Sequence, residues 1–172
     1  MDNFKTPVSK FTKALYGGLT ALLIGSGIIS YSQEGQLSAL AILVLAGVIP
    51  LFILLMPYRI RYRLTEDALV CEWLFGKVKI PYNTIEEVRS FHLPLKSIRR
   101  FGISLIGGRF SSKGTGKFYA MFGGKRDGLM IISNSEELYG GQIYITPEDE
   151  EEFIQDLKYR TNAAFSLDNV IK

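Results

Sequence analysis

The residues best suited to chemistry lie between Gly107 and Lys117, the run Gly-Gly-Arg-Phe-Ser-Ser-Lys-Gly-Thr-Gly-Lys. Glycine-rich backbone can turn N–H groups onto an anion, and Arg109, Lys113 and Lys117 would add positive charge. Lys125 and Arg126 follow closely and extend the candidate anion or lipid site. The run is not a Walker A loop. Ser111 stands where that loop needs its first glycine, and Phe118 follows the lysine where Ser or Thr should bind magnesium. A flexible hairpin excursion is the simpler reading of the same residues.

Other candidates are thinner. His92 is the only histidine, so a histidine metal site or a Ser-His-Asp triad would rest on one ring. It falls at a strand end with no acid pair nearby in sequence. Cys71 is the only cysteine, which excludes an internal disulfide and fits a buried or half-buried thiol. Trp73 reads as core. Glu148 to Glu152 resemble paired catalytic carboxylates, but an acidic first helical turn explains all five. The same run fails calcium-loop spacing and lacks the loop glycine. No constellation for nucleophilic, metal or acid–base catalysis emerges, and no cofactor is implied.

Charge is strongly partitioned. Lys77 to Arg126 holds eleven Lys/Arg against Glu86 and Glu87, while Asp127 to Lys172 holds ten acids and three bases. The net charge of +3 does not point to nucleic acid. A basic surface beside a membrane would instead meet anionic headgroups, at about 1 kcal/mol per base.

The elements that carry these residues begin with two apolar runs. Ala14 to Ser32 and Leu37 to Pro57 are uncharged, and each approaches the length that crosses a roughly 30 Å hydrocarbon core. A secretory signal is the competing reading of the first, but no A-x-A-like site follows. Gln33-Glu34-Gly35-Gln36 allows only a tight hairpin between them. Three lysines precede the first span, and Arg59, Arg61 and Arg63 follow the second as a juxtamembrane basic group. The positive-inside rule then places both termini in the cytoplasm. Gly17, Ala21 and Gly25 line one face of the first helix, suiting close packing on the second helix or on another subunit. Pro50 is expected to kink the second. Neither span carries an ionisable residue, which argues against a transport path.

After Pro57 the period becomes two. Tyr58–Leu64, Ala68–Phe75, Val78–Pro81 and Ile85–Phe91 read as an antiparallel meander. Residues 93–116 read as an irregular excursion, and strands resume at Lys117–Phe122, Leu129–Ser133 and Gln142–Ile145. A helix is expected from Pro147 to Arg160 with Thr146 as N-cap, followed by a loose tail at 161–172. The fold class is therefore α+β: a transmembrane hairpin (1–57, helices 14–32 and 37–57), then an antiparallel sheet or barrel (58–160) capped by a C-terminal helix.

Tyr62, Leu64, Thr65, Asp67, Phe75, Gly76, Ile80, Pro81, Tyr82 and Ile85 match a Tyr-x-Leu-Thr-x-Asp start, an aromatic-Gly turn and an Ile-Pro-Tyr-x-x-Ile segment. Tyr144 to Asp149, followed by Phe153 and Leu157, match a strand-to-helix close. In these the chain resembles bacterial pleckstrin-homology-like domains over about residues 58–160. The resemblance implies a non-catalytic role, gives no ligand and carries over no inositol-lipid specificity; with the two-helix anchor, the expected function is a binding or adaptor protein in a bacterial inner membrane. The expected partners are the membrane itself, anionic headgroups, a membrane protein or further copies of the chain. The alternatives are an accessory subunit of a larger membrane complex, and a phosphate-handling enzyme using the 107–117 loop.

Overall fold

The computed structural model describes residues 2–34, 37–73, 76–94, 98–103 and 107–167. Residues 35 and 36 of the interhelical turn, Phe75 of the aromatic-Gly turn, Lys96 of the basic run and residues 168–172 lie outside them. Two units emerge: residues 9–56, and residues 1–8 together with 57–172.

The first unit is a pair of helices, α1 (Lys10–Glu34) and α2 (Leu37–Leu55), the latter continuing through Pro50. Residues 10–32 are long and apolar enough to cross a membrane. Phe11, Leu22 and Ile28 of α1 and Leu45 and Ile49 of α2 are all exposed. The contact between the helices differs from expectation. A side chain at Gly17, Gly18 or Gly25 would meet nothing within 4 Å among the described residues. The close approach is instead at Gly47 of α2, where a Cβ would come 2.9 Å from Ile24 Cγ1.

The second unit has two sheets. One is four-stranded, in the order β1 (Asp2–Lys5), β2 (Arg61–Leu64), β3 (Ala68–Trp73) and β4 (Gly76–Pro81), antiparallel throughout. The alternation read from sequence holds in β2. Tyr62 and Leu64 are wholly buried, while Arg61 faces solvent. Trp73, expected in the core, is only half-buried.

The single meander does not continue. Pro81 has no N–H to donate, and a 3₁₀ turn at Tyr82–Thr84 redirects the chain into a seven-stranded sheet. Its members are β5 (Ile85–His92), β6 (Ile98–Ile103), β7 (Gly107–Ser112), β8 (Gly116–Met121), β9 (Asp127–Ser133), β10 (Gln142–Ile145) and β11 (Ala164–Ser166). Their order is β11-β5-β9-β10-β8-β7-β6. This sheet is mixed, because β10 runs parallel to β8 and β11 parallel to β5. The excursion expected at 93–116 thus contains two paired strands, and residues 164–166 of the expected loose tail form a third.

Both faces of β9 are covered. Leu129 and Ile131 on one parity are wholly buried. Met130 on the other joins Leu93, Phe110, Phe118, Ala120, Phe122 and Tyr144 in a separate aromatic cluster. Phe118 stacks on Phe110 at 5.8 Å, and Phe122 meets Tyr144 edge-on at 5.7 Å.

The closing helix α3 (Glu150–Arg160) begins three residues later than expected, with Asp149 at the N-cap. Thr146 is diverted from capping. It is wholly buried, its hydroxyl lies 2.8 Å from that of Thr6, and its N–H donates to Tyr62 Oη at 3.2 Å. Phe153, Ile154 and Leu157 form the buried stripe, with Phe153 edge-on to Phe4 and Tyr62.

Candidate functional site

The β7–β8 hairpin is symmetric about Gly114, so Arg109 faces Tyr119 and Ser111 faces Lys117. Alternation sends Phe110 and Phe118 into the aromatic cluster and Arg109, Lys117 and Tyr119 to the opposite face. There the Arg109 guanidinium lies 5.5 Å from the Tyr119 ring centre and 5.3 Å from that of Tyr139, and its Nε donates to Tyr119 Oη at 3.1 Å. Lys117 Nζ is 5.9 Å from the Tyr139 ring. Exposed cation–π contacts of this kind are worth about 0.5–1 kcal/mol each. Lys113 sits exposed at the turn.

This geometry changes what the glycine-rich run can do. The stretches Gly107–Ser112 and Gly116–Met121 are strands, and β7 is paired on both sides. Most of their amides serve the sheet, and the turn at 113–115 lies outside the β7–β8 ladder. The anion cradle expected of a loop is largely spent on pairing.

Lys125 and Arg126 lie at the other end of β8, in the turn that leads to β9. Gly123 there is pressed against the carbonyl of Pro7, with Val8 Cα also close. At roughly 3.3 Å per residue, β8 separates Gly116 from Gly123 by roughly 20 Å. Arg109, Lys113 and Lys117 therefore do not form one surface with Lys125 and Arg126. Lys125 Nζ approaches the Glu150 carboxylate at 3.7 Å, and Arg126 is exposed.

Acids share the end occupied by Lys125. The Asp127 carboxylate accepts from His92 Nδ1 at 2.7 Å, supplying the acid that linear sequence does not place near this ring. Cross-strand register makes the pair, since His92 faces Asp127 between β5 and β9. Glu148 donates its N–H to Lys5 O at 2.8 Å, so the acidic run leading into α3 is beside β1. Among the juxtamembrane bases, Arg59 and Arg61 are exposed, whereas Arg63 is half-buried in an ion pair with Glu72.

The quoted sequence motifs prove structural. Thr65 Oγ1 donates to Ala68 O at 2.7 Å and closes the β2–β3 turn. Lys79 Nζ donates to Asp67 at 2.8 Å, which with Thr65 holds the Asp67 carboxyl below its usual range. Tyr82 donates through its N–H to Asp67 O and through its hydroxyl to Thr65 O. Leu64, Thr65, Glu66, Asp67 and Arg160 line a surface depression of about 350 Å³ at this corner. Burial pushes the Cys71 thiol and the Tyr62 and Tyr144 hydroxyls well above their ordinary values.

Sequence reasoning missed Tyr119, Tyr139, Asp127, Glu72 and Glu150 as partners of the candidate bases. Tyr119 was reachable from a hairpin centred on Gly114, but Tyr139 arrives from a distant turn with no local signal. Comparison with curated proteins and with solved structures gave no match. The Bacterial PH domain family matches residues 60–161, which run from the residue before β2 to the residue after α3. More than half of the chain is covered by that match, and the chain belongs to the Bacterial PH domain family.

Proposed function

We propose that the chain is a membrane-anchored, non-catalytic adaptor that holds its PH domain against the cytoplasmic side of a membrane and engages a membrane protein there. The observation that carries the anchor is the pairing of β1 with β2. Asp2 faces Leu64 and Lys5 faces Arg61, so the chain leaves the domain at Val8 and rejoins it at Pro57. A single crossing by α1 would put β1 and β2 on opposite sides of the bilayer. Their pairing favours a return crossing by α2, which has no charged residue.

In this reading the links at Val8 and Pro57 mark the end of the domain that would be turned to the headgroups. Val8 is two residues from the start of α1, a reach of about 7 Å. Gly123 is seated on Pro7 and Val8, which supports assigning the β8–β9 turn to that end. Bases and acids are mixed there: Lys5, Lys125 and Arg126 accompany Asp127, Glu148 and Glu150. Mixed charge suits a polar protein surface better than a uniformly anionic bilayer.

The test is cysteine accessibility in the intact chain, where buried Cys71 gives little background. Gln36→Cys should be labelled from outside sealed cells and Asn162→Cys only after lysis. Equal labelling of both would overturn the orientation, and extraction of the chain by carbonate would overturn the anchor.

A second reading, headgroup contact by Lys125 and Arg126, is favoured by their place beside Val8. Their joint replacement by Ala should then abolish slower amide exchange of 124–127 in anionic compared with zwitterionic lipid discs. At about 1 kcal/mol per base this is an effect of roughly 30-fold. Lys113→Ala with Lys117→Ala, two Debye lengths or so away, should change nothing. No difference between the lipids for the parent chain would dismiss headgroup contact.

A further inference from the structure

The family match ends at residue 161, and β11 lies beyond it. Within the matched domain, β5 is an edge strand of the seven-stranded sheet, and β11 is what covers that edge. It does so sparingly, pairing three residues against the eight of β5. We propose that the outer edge of β5, beside the last turns of α3, is a strand-accepting site for an extended segment of a partner protein, occupied here by the chain's own residues 164–166 as a displaceable stand-in. The proposal deepens the adaptor reading by naming where the partner sits, and rests on it.

The stand-in shows what the site recognises. Phe165 is in register with Val88, and in-register neighbours of a parallel pair share a face. Val88 is wholly buried, so Phe165 enters along the core side of the edge, where it is half-buried. Lys158 Nζ of α3 lies 5.1 Å from its ring centre. Ala164 and Ser166 fall beside Glu87 and Arg89 on the other face and are exposed. The fitting ligand is therefore an extended segment, parallel to β5, with one aromatic side chain between two small ones. Main-chain hydrogen bonds would supply affinity and the aromatic slot specificity.

The fastening is built to release. Thr161 is fixed, its N–H donating to Leu157 O at 3.1 Å and its hydroxyl to Tyr82 O at 3.2 Å. Among the described residues, the segment beyond is held by the Ala163 N–H on Thr161 Oγ1 at 3.2 Å, three strand residues and one half-buried ring, a small unit that opens at low local cost. Once lifted, it leaves an unpaired edge next to a buried valine, and such edges recruit strands.

The experiment uses the full-length chain in detergent, the chain ended after Thr161, and full-length Phe165→Ala. Each is titrated with a fluorescent peptide of residues 162–172 by polarisation. A short tether supplies a millimolar effective concentration, so the titration extends to about 1 mM. The peptide should bind the shortened chain and Phe165→Ala about tenfold or more tightly than the full-length chain, and a peptide carrying Phe165→Ala should lose that binding. Circular dichroism verifies that each form is folded, and Phe165→Ala serves if the shortened chain is not. Equal binding to all three forms, or none to a folded shortened chain and a folded Phe165→Ala, overturns the proposal. A full-length dimer that dissociates on shortening also overturns it, in favour of exchange between copies. Failure here would leave the cysteine-labelling result for the anchor unchanged.

Discussion

Replacing Tyr62 by Phe isolates the polar half of the domain's central junction. The Tyr62 side chain is wholly buried. Its hydroxyl donates to Met121 O at the end of β8 at 2.6 Å and accepts from Thr146 N–H at 3.2 Å, tying β2 to β8 and to the segment leading into α3. Phe keeps the ring that meets Phe153 at 6.4 Å and removes only the oxygen. Met121 O loses a donor and Thr146 N–H an acceptor in a place water does not reach. Buried groups left without partners cost about 1–3 kcal/mol, so about 2 kcal/mol is expected. In a domain of this size that corresponds to about 6–10 °C in melting temperature. Heating the detergent-solubilised chain while following its single tryptophan, Trp73, measures the shift. Tyr159→Phe, at a residue 93% exposed, should change the midpoint by less than a degree or so and serves as control. A Tyr62→Phe midpoint indistinguishable from the parent's would refute the assignment of this hydroxyl as the tie between the two sheets.

Cys71, Tyr62 and Tyr144 have raised values through burial, so the folded state holds their protons where the unfolded state releases them. Their contribution to stability should be full below pH 9.0, the ordinary thiol value, and fall by about 1.4 kcal/mol per pH unit for each group above its own ordinary value. In Cys71→Ala, denaturant titration should show the decline starting near pH 10.0, where the two tyrosines take over. Asp67 has a lowered value through Lys79 and Thr65, so its contribution is present above pH 3.8 and lost as pH falls through the folded value. Asp67→Asn should therefore flatten part of the acid limb of the same titration without altering the alkaline one. Gly140 has φ +73°, and a Cβ there would strike the carbonyl of Lys117; Gly140→Ala should cost at least about 1–2 kcal/mol by melting and shift Tyr139 away from Arg109. Gly123→Ala, whose Cβ would meet Pro7 O, should destabilise by about 1–3 kcal/mol and raise exchange of the β1 amides.

What was legible in the sequence followed from local periodicity. The alternation read over Tyr58 to Leu64 yielded a strand only at Arg61–Leu64, Tyr58 and Arg59 falling in a 3₁₀ turn, whereas the run at Gln142–Ile145 matched β10 residue for residue, because side-chain burial repeats every second residue. The Tyr62, Thr65, Asp67 and Pro81-Tyr82 motif gave the fold, since those residues build one corner through short-range hydrogen bonds. What failed was non-local. Nothing in Asp2–Lys5 announces a strand whose partner is near residue 60, and nothing in Ala164–Ser166 announces β5. Thr146 had every property of a cap and was recruited by Thr6, 140 residues away in sequence. The candidate bases are close together in sequence, but a linear count cannot show that β8 holds them apart.

The position of β1 also sets an order of events in time. Asp2–Lys5 is made before both helices, yet the surface it zips onto is synthesised some sixty residues later, after them. This strand is thus made ahead of its partner and placed only after it, and it must stay extended and unclaimed while the helices settle. Any extra sequence fused ahead of Asp2 would be carried to the edge of the four-stranded sheet near Leu64, at the end of the domain away from the β8–β9 turn.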